Sequence, residues 1–204
     1  MNNVFRDNLI KKIGSDAFAK VEVAHIGIAG AGGLGSNCAA GLVRVGFRKF
    51  TIVDFDTVDP SNLDRQFYFE DQVGCHKLQA LKENLLRINP DIELDLVNGR
   101  VERLNAARLF SSCDVVAECL DTAEGKSMLV SEMLRLKKFI VSASGLGGIG
   151  SSDDIQVHKI REGLIMVGDL KSDIAKWPAL APRVSIAAAK QADVILEYVA
   201  NKHP

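Results

Sequence analysis

Residues 21–35 read VEVAHIGIAGAGGLG, and this stretch decides the fold. An apolar, β-like run over 21–29 stops at the loop GAGGLG, and a helix of small residues is predicted over 34–45. Gly30 permits the tight turn after the strand, Gly32 lets the backbone approach a phosphate or ribose, and Gly35 allows the helix to pack closely on the sheet. The helix N-terminus adds free N–H groups and partial positive charge, which suit an anion. Asp54 closes the next predicted strand, 50–55, where a carboxylate accepts hydrogen bonds from ribose hydroxyls. Gly30, Gly32, Gly33, Gly35 and Asp54 therefore form a candidate nucleotide site. The loop itself does not select the nucleotide, and NAD is the default reading.

Working outward, an amphipathic helix is expected over 4–18 and a long polar stretch follows the second strand over 56–75. A helix over 76–88 ends at Asn89-Pro90, because the residue before proline avoids helical backbone. Strands are expected at 92–97, 114–120 and Phe139–Ala143, separated by helices at 105–110 and 124–136. A strand pair at 155–160 and 164–167 follows, then a helix over 184–200 entered after Pro182. This alternation predicts an α/β, Rossmann-like, doubly wound fold. Its sheet is mostly parallel, with helices on both faces and the later strands antiparallel. No linker divides the chain, so one domain is expected across 1–204.

Composition removes several classes of function. The chain has 204 residues, 47% of them hydrophobic, which supports a core and excludes a disordered chain. Lys plus Arg number 25 against 26 Asp plus Glu, so bulk charge gives no reason to expect nucleic-acid binding. No apolar run is long enough to span a membrane, and MNNVFRDNLIKK lacks the apolar centre of a signal peptide. A cytoplasmic protein is expected. Cys38, Cys75, Cys113 and Cys119 contain no CxxC pair, so neither zinc nor a disulfide framework is expected. Two further motifs mislead. GLGGIG at 145–150 repeats the glycine pattern, but SSDD and a β-like run follow it, not a helix. EGKS at 124–127 resembles the end of a P-loop, yet the required first glycine is Leu120.

Downstream of Asp54 the chain reads VDFDTVDPSNLDRQF, then GCHKLQALKENLLRINP, then ECLDTAEGK. In order and spacing this set resembles the ThiF/MoeB/HesA adenylating enzymes, kin of the ubiquitin-activating enzymes, and most of all the short ThiF proteins of thiamine biosynthesis. The resemblance implies an ATP-dependent adenylyltransferase acting on the Gly-Gly carboxylate of a ThiS-like, ubiquitin-like sulfur carrier. Physics asks for the same set, because two anionic reactants and an anionic leaving group need cations and a metal already in place. Asp121 lies near the end of the fourth predicted strand, and the resemblance makes it the Mg²⁺ carboxylate; the ordinary use of such an Asp is to cap the following helix. By the same resemblance Arg65 and Lys77 are the phosphate cations, and Asn62 and Gln66 are polar nucleotide contacts. The resemblance also implies that Arg6 reaches the triphosphate of a partner subunit, so that a homodimer is expected with the first 20 residues at its interface. Lys126 and Thr122 depart from the family's usual Arg and Asn. Two glycines can thread a narrow channel to the α-phosphate, and the 145–150 loop is a candidate lining. An NAD(P)-linked oxidoreductase and a non-catalytic nucleotide-binding module remain as alternatives, as do other acceptors, such as a molybdopterin carrier, a peptide or a modified tRNA base.

Overall fold

In the computed structural model, which describes residues 4–201, the chain folds around a seven-stranded sheet. The first three and last three residues of the expected 1–204 domain lie outside the described residues. Strands β1 (His25–Ala29), β2 (Lys49–Asp54), β4 (Val115–Glu118) and β5 (Phe139–Ala143) are buried almost throughout. That is the pattern of parallel strands covered on both faces. β3 (Glu93–Asn98) and β6 (Gln156–Arg161) are the two edges and bury none of their residues fully, while β7 (Leu164–Gly168) lies between β5 and β6. The order is β3-β2-β1-β4-β5-β7-β6, parallel except for the β6–β7 pair. The Rossmann-like reading therefore holds, and the chain reverses its direction of travel between β1 and β4. Ligands of open α/β sheets bind at that crevice.

Helices α3 (Gly33–Arg44), α4 (Lys77–Ile88) and α7 (Ala181–Ala200) cover one face, with Leu42, Leu81 and Ile195 wholly buried against it. Helices α5 (Arg103–Leu109) and α6 (Ala123–Arg135) cover the other through Phe110, Leu129 and Met133. Pro182 falls inside the first turn of α7, where its missing N–H costs no helical bond.

The opening segment corrects the sequence reading. The single helix expected over 4–18 is two, α1 (Val4–Ile13) and α2 (Ser15–Val23), broken at Gly14 with φ +82°. Residues 21–23, expected as strand, complete α2: Phe18 and Val21, three apart, bury one helical face, while Val23 is 67% exposed, so the strand-like VxV spacing did not mark a strand. The fourth strand, expected over 114–120, is Val115–Glu118, so Asp121 lies in the turn three residues beyond its end.

Candidate functional site

The glycine loop is fixed by its own backbone. A Cβ on Gly35 would sit 1.8 Å from the carbonyl oxygen of Gly30, and one on Gly30, at φ +96°, would sit 2.7 Å from that of Cys119. Only hydrogen fits at either place, and the second contact brings the loop against the end of β4. Asp54 is buried and already holds the loop: its carboxylate accepts from Ala31 N at 2.6 Å and from Asp56 N at 2.8 Å. Each oxygen keeps a further lone pair for a ribose hydroxyl. Tyr68 Oη donates to Ala31 O at 2.7 Å from the other side, and burial pushes its phenol well up. Gly32 caps α3 with no side chain, so the helix N-terminus stays open to a ligand.

The polar stretch 56–75 is a closed loop, pinned at its base where Val58 N donates to Cys75 O and Lys77 N donates to Asp56 O. Its middle folds back over the glycines. Asn37 Nδ2 donates to Gly33 O at 2.7 Å and to Arg65 O at 2.9 Å. Ser36 Oγ donates to Gly32 O and accepts from Phe67 N. Arg65 and Gln66 therefore lie directly above Gly32 and Gly33. The Arg65 guanidinium rests on Ser61 O and Asp64. Gln66 Oε1 is buried and has no hydrogen-bond partner. Asn62 is partly committed, since its Oδ1 accepts from Asp59 N in a capping box. Lys77, only 6% exposed, donates to Asp56 at 2.8 Å. The loop is held from below by Gln72 and Asn84, whose amides bond one another at 2.9 and 3.0 Å.

Across the crevice, Asp121 is exposed and does not cap α6; Thr122 does, accepting from Gly125 N. Behind it lies a group that sequence reasoning missed. Glu118 is wholly buried, and its carboxylate accepts from Leu120 N, Lys126 Nζ and Ser142 Oγ. Its only signal was the departure from the usual Arg at Lys126. A cavity of about 460 Å³ opens further along, lined by Gly147, Gly148, Ile149, Trp177, Leu180 and Arg183. Ile149 and Trp177 are 93% and 63% exposed at its rim. Arg183 is buried, pairs with Asp169 and Ser151 O, and leaves its Nε without a partner.

Arg6 is not brought to this site. It pairs with Glu22 at 3.1 Å and lies over Phe18, beside Arg48 and Asp91, which precede β2 and β3. That is the amino end of the sheet, a strand length of roughly 17–20 Å from the glycine loop. Three thiols are buried and poor nucleophiles, with Cys38 pushed up to about 12 and Cys113 to about 11 by burial; Cys75 is exposed. Among the described residues no three His, Cys, Asp or Glu side chains gather as metal ligands.

The model of the ThiF family matches residues 5–162. The adenylyltransferase and sulfurtransferase UBA4 of Candida glabrata is 36% identical over 142 residues, covering 69% of this chain and 33% of that protein. The molybdopterin-synthase adenylyltransferase of Haemophilus influenzae is 28% identical over 142 residues, 69% of this chain and 58% of that one. The chain thus spans less than two thirds of either relative. The solved Escherichia coli tRNA N6-threonylcarbamoyladenosine dehydratase in complex with ATP superposes with a TM-score of 0.83 at 23% identity, covering 97% of this chain and 96% of that one. At that identity the likeness is one of fold.

Proposed function

The chain belongs to the ThiF family, and on that premise we propose that it is an ATP-dependent adenylyltransferase for the C-terminal carboxylate of a ubiquitin-like carrier, with a Gly-Gly-ended sulfur carrier of the ThiS kind as substrate. One observation carries the reading. The Arg65–Gln66 turn is folded onto the glycine loop, with the Gln66 oxygen left buried and unpartnered there. A glycine loop and acidic residue alone suit any nucleotide; the Arg65 cation beside them suits phosphate oxygens, and the free Gln66 acceptor suits a donor on the ribose or base.

In this reading Asp54 takes the ribose, and the N–H groups at the start of α3 face the phosphates. Arg65 and Lys77 offset phosphate charge. Lys77 keeps two of its three donors beyond the bond to Asp56. Asp121 fits a magnesium site, because its carboxylate is exposed and not consumed as a helix cap. Mg²⁺ takes one or two carboxylates with phosphate oxygens and water, and its charge would offset that of the leaving pyrophosphate. A carrier carboxylate oxygen attacks the α-phosphorus, the bond from that phosphorus to the bridging β-phosphate oxygen breaks, and pyrophosphate departs. The cavity beside Gly147 and Gly148 admits the carrier's tail. There Arg183, paired with Asp169, stands beside the tail, and Ile149 and Trp177 meet the carrier's body. Arg6 acts across a homodimer.

ATP–pyrophosphate exchange with Mg²⁺ and a purified Gly-Gly-ended carrier tests the reading. Exchange that needs the carrier supports it. Tight NAD(P) binding without exchange overturns it in favour of an oxidoreductase.

A further inference from the structure

Glu118 poses a physical question that the nucleotide site leaves unanswered. A carboxylate with no exposed surface sits at the last position of β4. Both oxygens are bonded to Lys126 Nζ at 3.2 Å; Oε1 also accepts from Leu120 N at 2.7 Å and Oε2 from Ser142 Oγ at 2.6 Å. Its backbone carbonyl accepts from Gln191 Nε2 at 3.1 Å, and the same nitrogen bonds Val141 O. A buried ion pair of this kind often gains nothing in stability over an apolar pair of equal volume. What it does supply is geometry. One residue joins the end of β4, the end of β5, the first turns of α6 and, through its backbone carbonyl, α7.

The fastened segment is the one that carries Asp121. Leu120 N–H is held by Glu118, and Thr122 is fixed as the cap of α6. Asp121 lies between these two anchored residues. The neighbouring backbone at Cys119 is pressed against Gly30 so closely that a methyl would not fit. The turn 119–122 is therefore set by Glu118 and Lys126 on one side and by the glycine loop on the other.

We propose that Glu118 and Lys126 are positioning residues for Asp121, fixing where that carboxylate stands relative to the nucleotide loop. The role rests on the adenylation reading for its consequence in catalysis, but not for its geometry. Neither residue touches the nucleotide. They act by pinning the turn, as groups behind a metal-binding side chain do when they hold it in one orientation.

The test is a cycle of variants read in three ways. Lys126→Met and Lys126→Arg are made with and without Asp121→Ala. The readouts are the Mg²⁺ dependence of ATP affinity, the Mg²⁺ dependence of exchange, and hydrogen exchange at the Leu120 amide. Lys126→Met is expected to lose protection at Leu120. It should also weaken the Mg²⁺-dependent part of both activities by roughly 10–100-fold, leaving ATP affinity without Mg²⁺ close to wild type. Lys126→Arg should restore most of the loss. In the Asp121→Ala background Lys126→Met should cost nothing further. An equal loss in both backgrounds, or an unchanged Mg²⁺ dependence, overturns the proposal. If Lys126→Met does not fold, because Glu118 is left buried and unpaired, the pair Glu118→Gln with Lys126→Met removes both charges and reads the same cycle. A wild type that binds Mg²⁺-ATP but shows no exchange would sink the adenylation reading alone, and the binding arm would still decide the positioning role.

Discussion

The two walls of the nucleotide crevice are built by different means. On the β2 side the geometry is made of backbone: Gly30, Gly32 and Gly35 leave room, and Asp54 ties the loop down through two main-chain amides. On the β4 side it is made of a buried charge, with Glu118 gathering Leu120, Lys126 and Ser142. The first wall tolerates no added carbon at Gly30 or Gly35. The second draws on residues from three elements and fails by losing an interaction rather than by a clash. Substitutions should accordingly do different damage: in folding at Gly30 and Gly35, in function at Asp121 and the groups that hold its turn.

The largest expected effect is on the glycine wall. Gly35→Ala places a methyl carbon 1.8 Å from Gly30 O, a backbone atom that has no easy escape. It should cost about 3 kcal/mol or more of stability, seen as a much lower urea midpoint. Gly32→Ala is its control, since the new methyl meets only Gln66 Nε2, at 3.9 Å. It should change stability by less than ~1 kcal/mol yet weaken ATP binding, because the methyl faces the ligand. Equal urea midpoints for the two variants would break the contrast between a glycine kept for packing and one kept for the ligand.

Asp121→Ala probes the opposite wall. The side chain is exposed, so the melting temperature should stay near that of wild type, while Mg²⁺-dependent exchange should vanish. Near-normal turnover in this variant would remove Asp121 from the metal role.

The same contrast explains what was legible in the sequence. GAGGLG and Asp54 were readable because a strand, a turn and a helix in direct succession leave few ways to fold. The parallel sheet followed from alternation of periods, and Phe139–Ala143 fell on its own strand to the residue. Glu118 was not readable as a buried anchor, because nothing in ECLDTAEGK shows that Ser142 and Gln191 converge on it from 24 and 73 residues away. The Gln72–Asn84 pair was hidden for the same reason. The N-terminal region was misread for a local reason. Gly14 sits at positive φ and ends one helix, and the alternation in VEV is that of a strand although the buried pair is Phe18 and Val21, at helical spacing, with Val23 exposed.

A smaller effect, confined to the carrier, is expected at Arg183. Arg183→Lys keeps a charge near Asp169 but removes the planar fork that also reaches Ser151 O. The apparent KM for the carrier should rise by about tenfold, with that for ATP unchanged; a rise in both would deny the cavity its assignment to the tail. The pair also carries a pH signature. Burial works against ionisation of Asp169, but the amides of Ser172 and Lys171 and the Arg183 guanidinium hold its carboxyl below the usual carboxylate range. A lowered folded value means that this contribution to stability is present above the ordinary Asp pKa and lost as pH falls through the lowered one. The melting gap between wild type and Arg183→Met should therefore close on acidification.

Arg6 gives the smallest effect on the isolated subunit and the sharpest test of the assembly. Its guanidinium is exposed, paired with Glu22, and stands at the amino end of the sheet, so Arg6→Ala should barely alter melting. If the residue serves only its own subunit, activity should be equally indifferent, because a strand length separates it from the glycine loop. If it completes the site of a second copy, Arg6→Ala should be inactive alone. Mixing it with Asp121→Ala should then restore part of the exchange, since a mixed dimer holds one site with both residues intact. Subunit exchange shown by mass, without recovered activity, would confine Arg6 to the packing of α1 on α2. Recovered activity would add a third contributor to the crevice, supplied from outside the chain that builds its two walls.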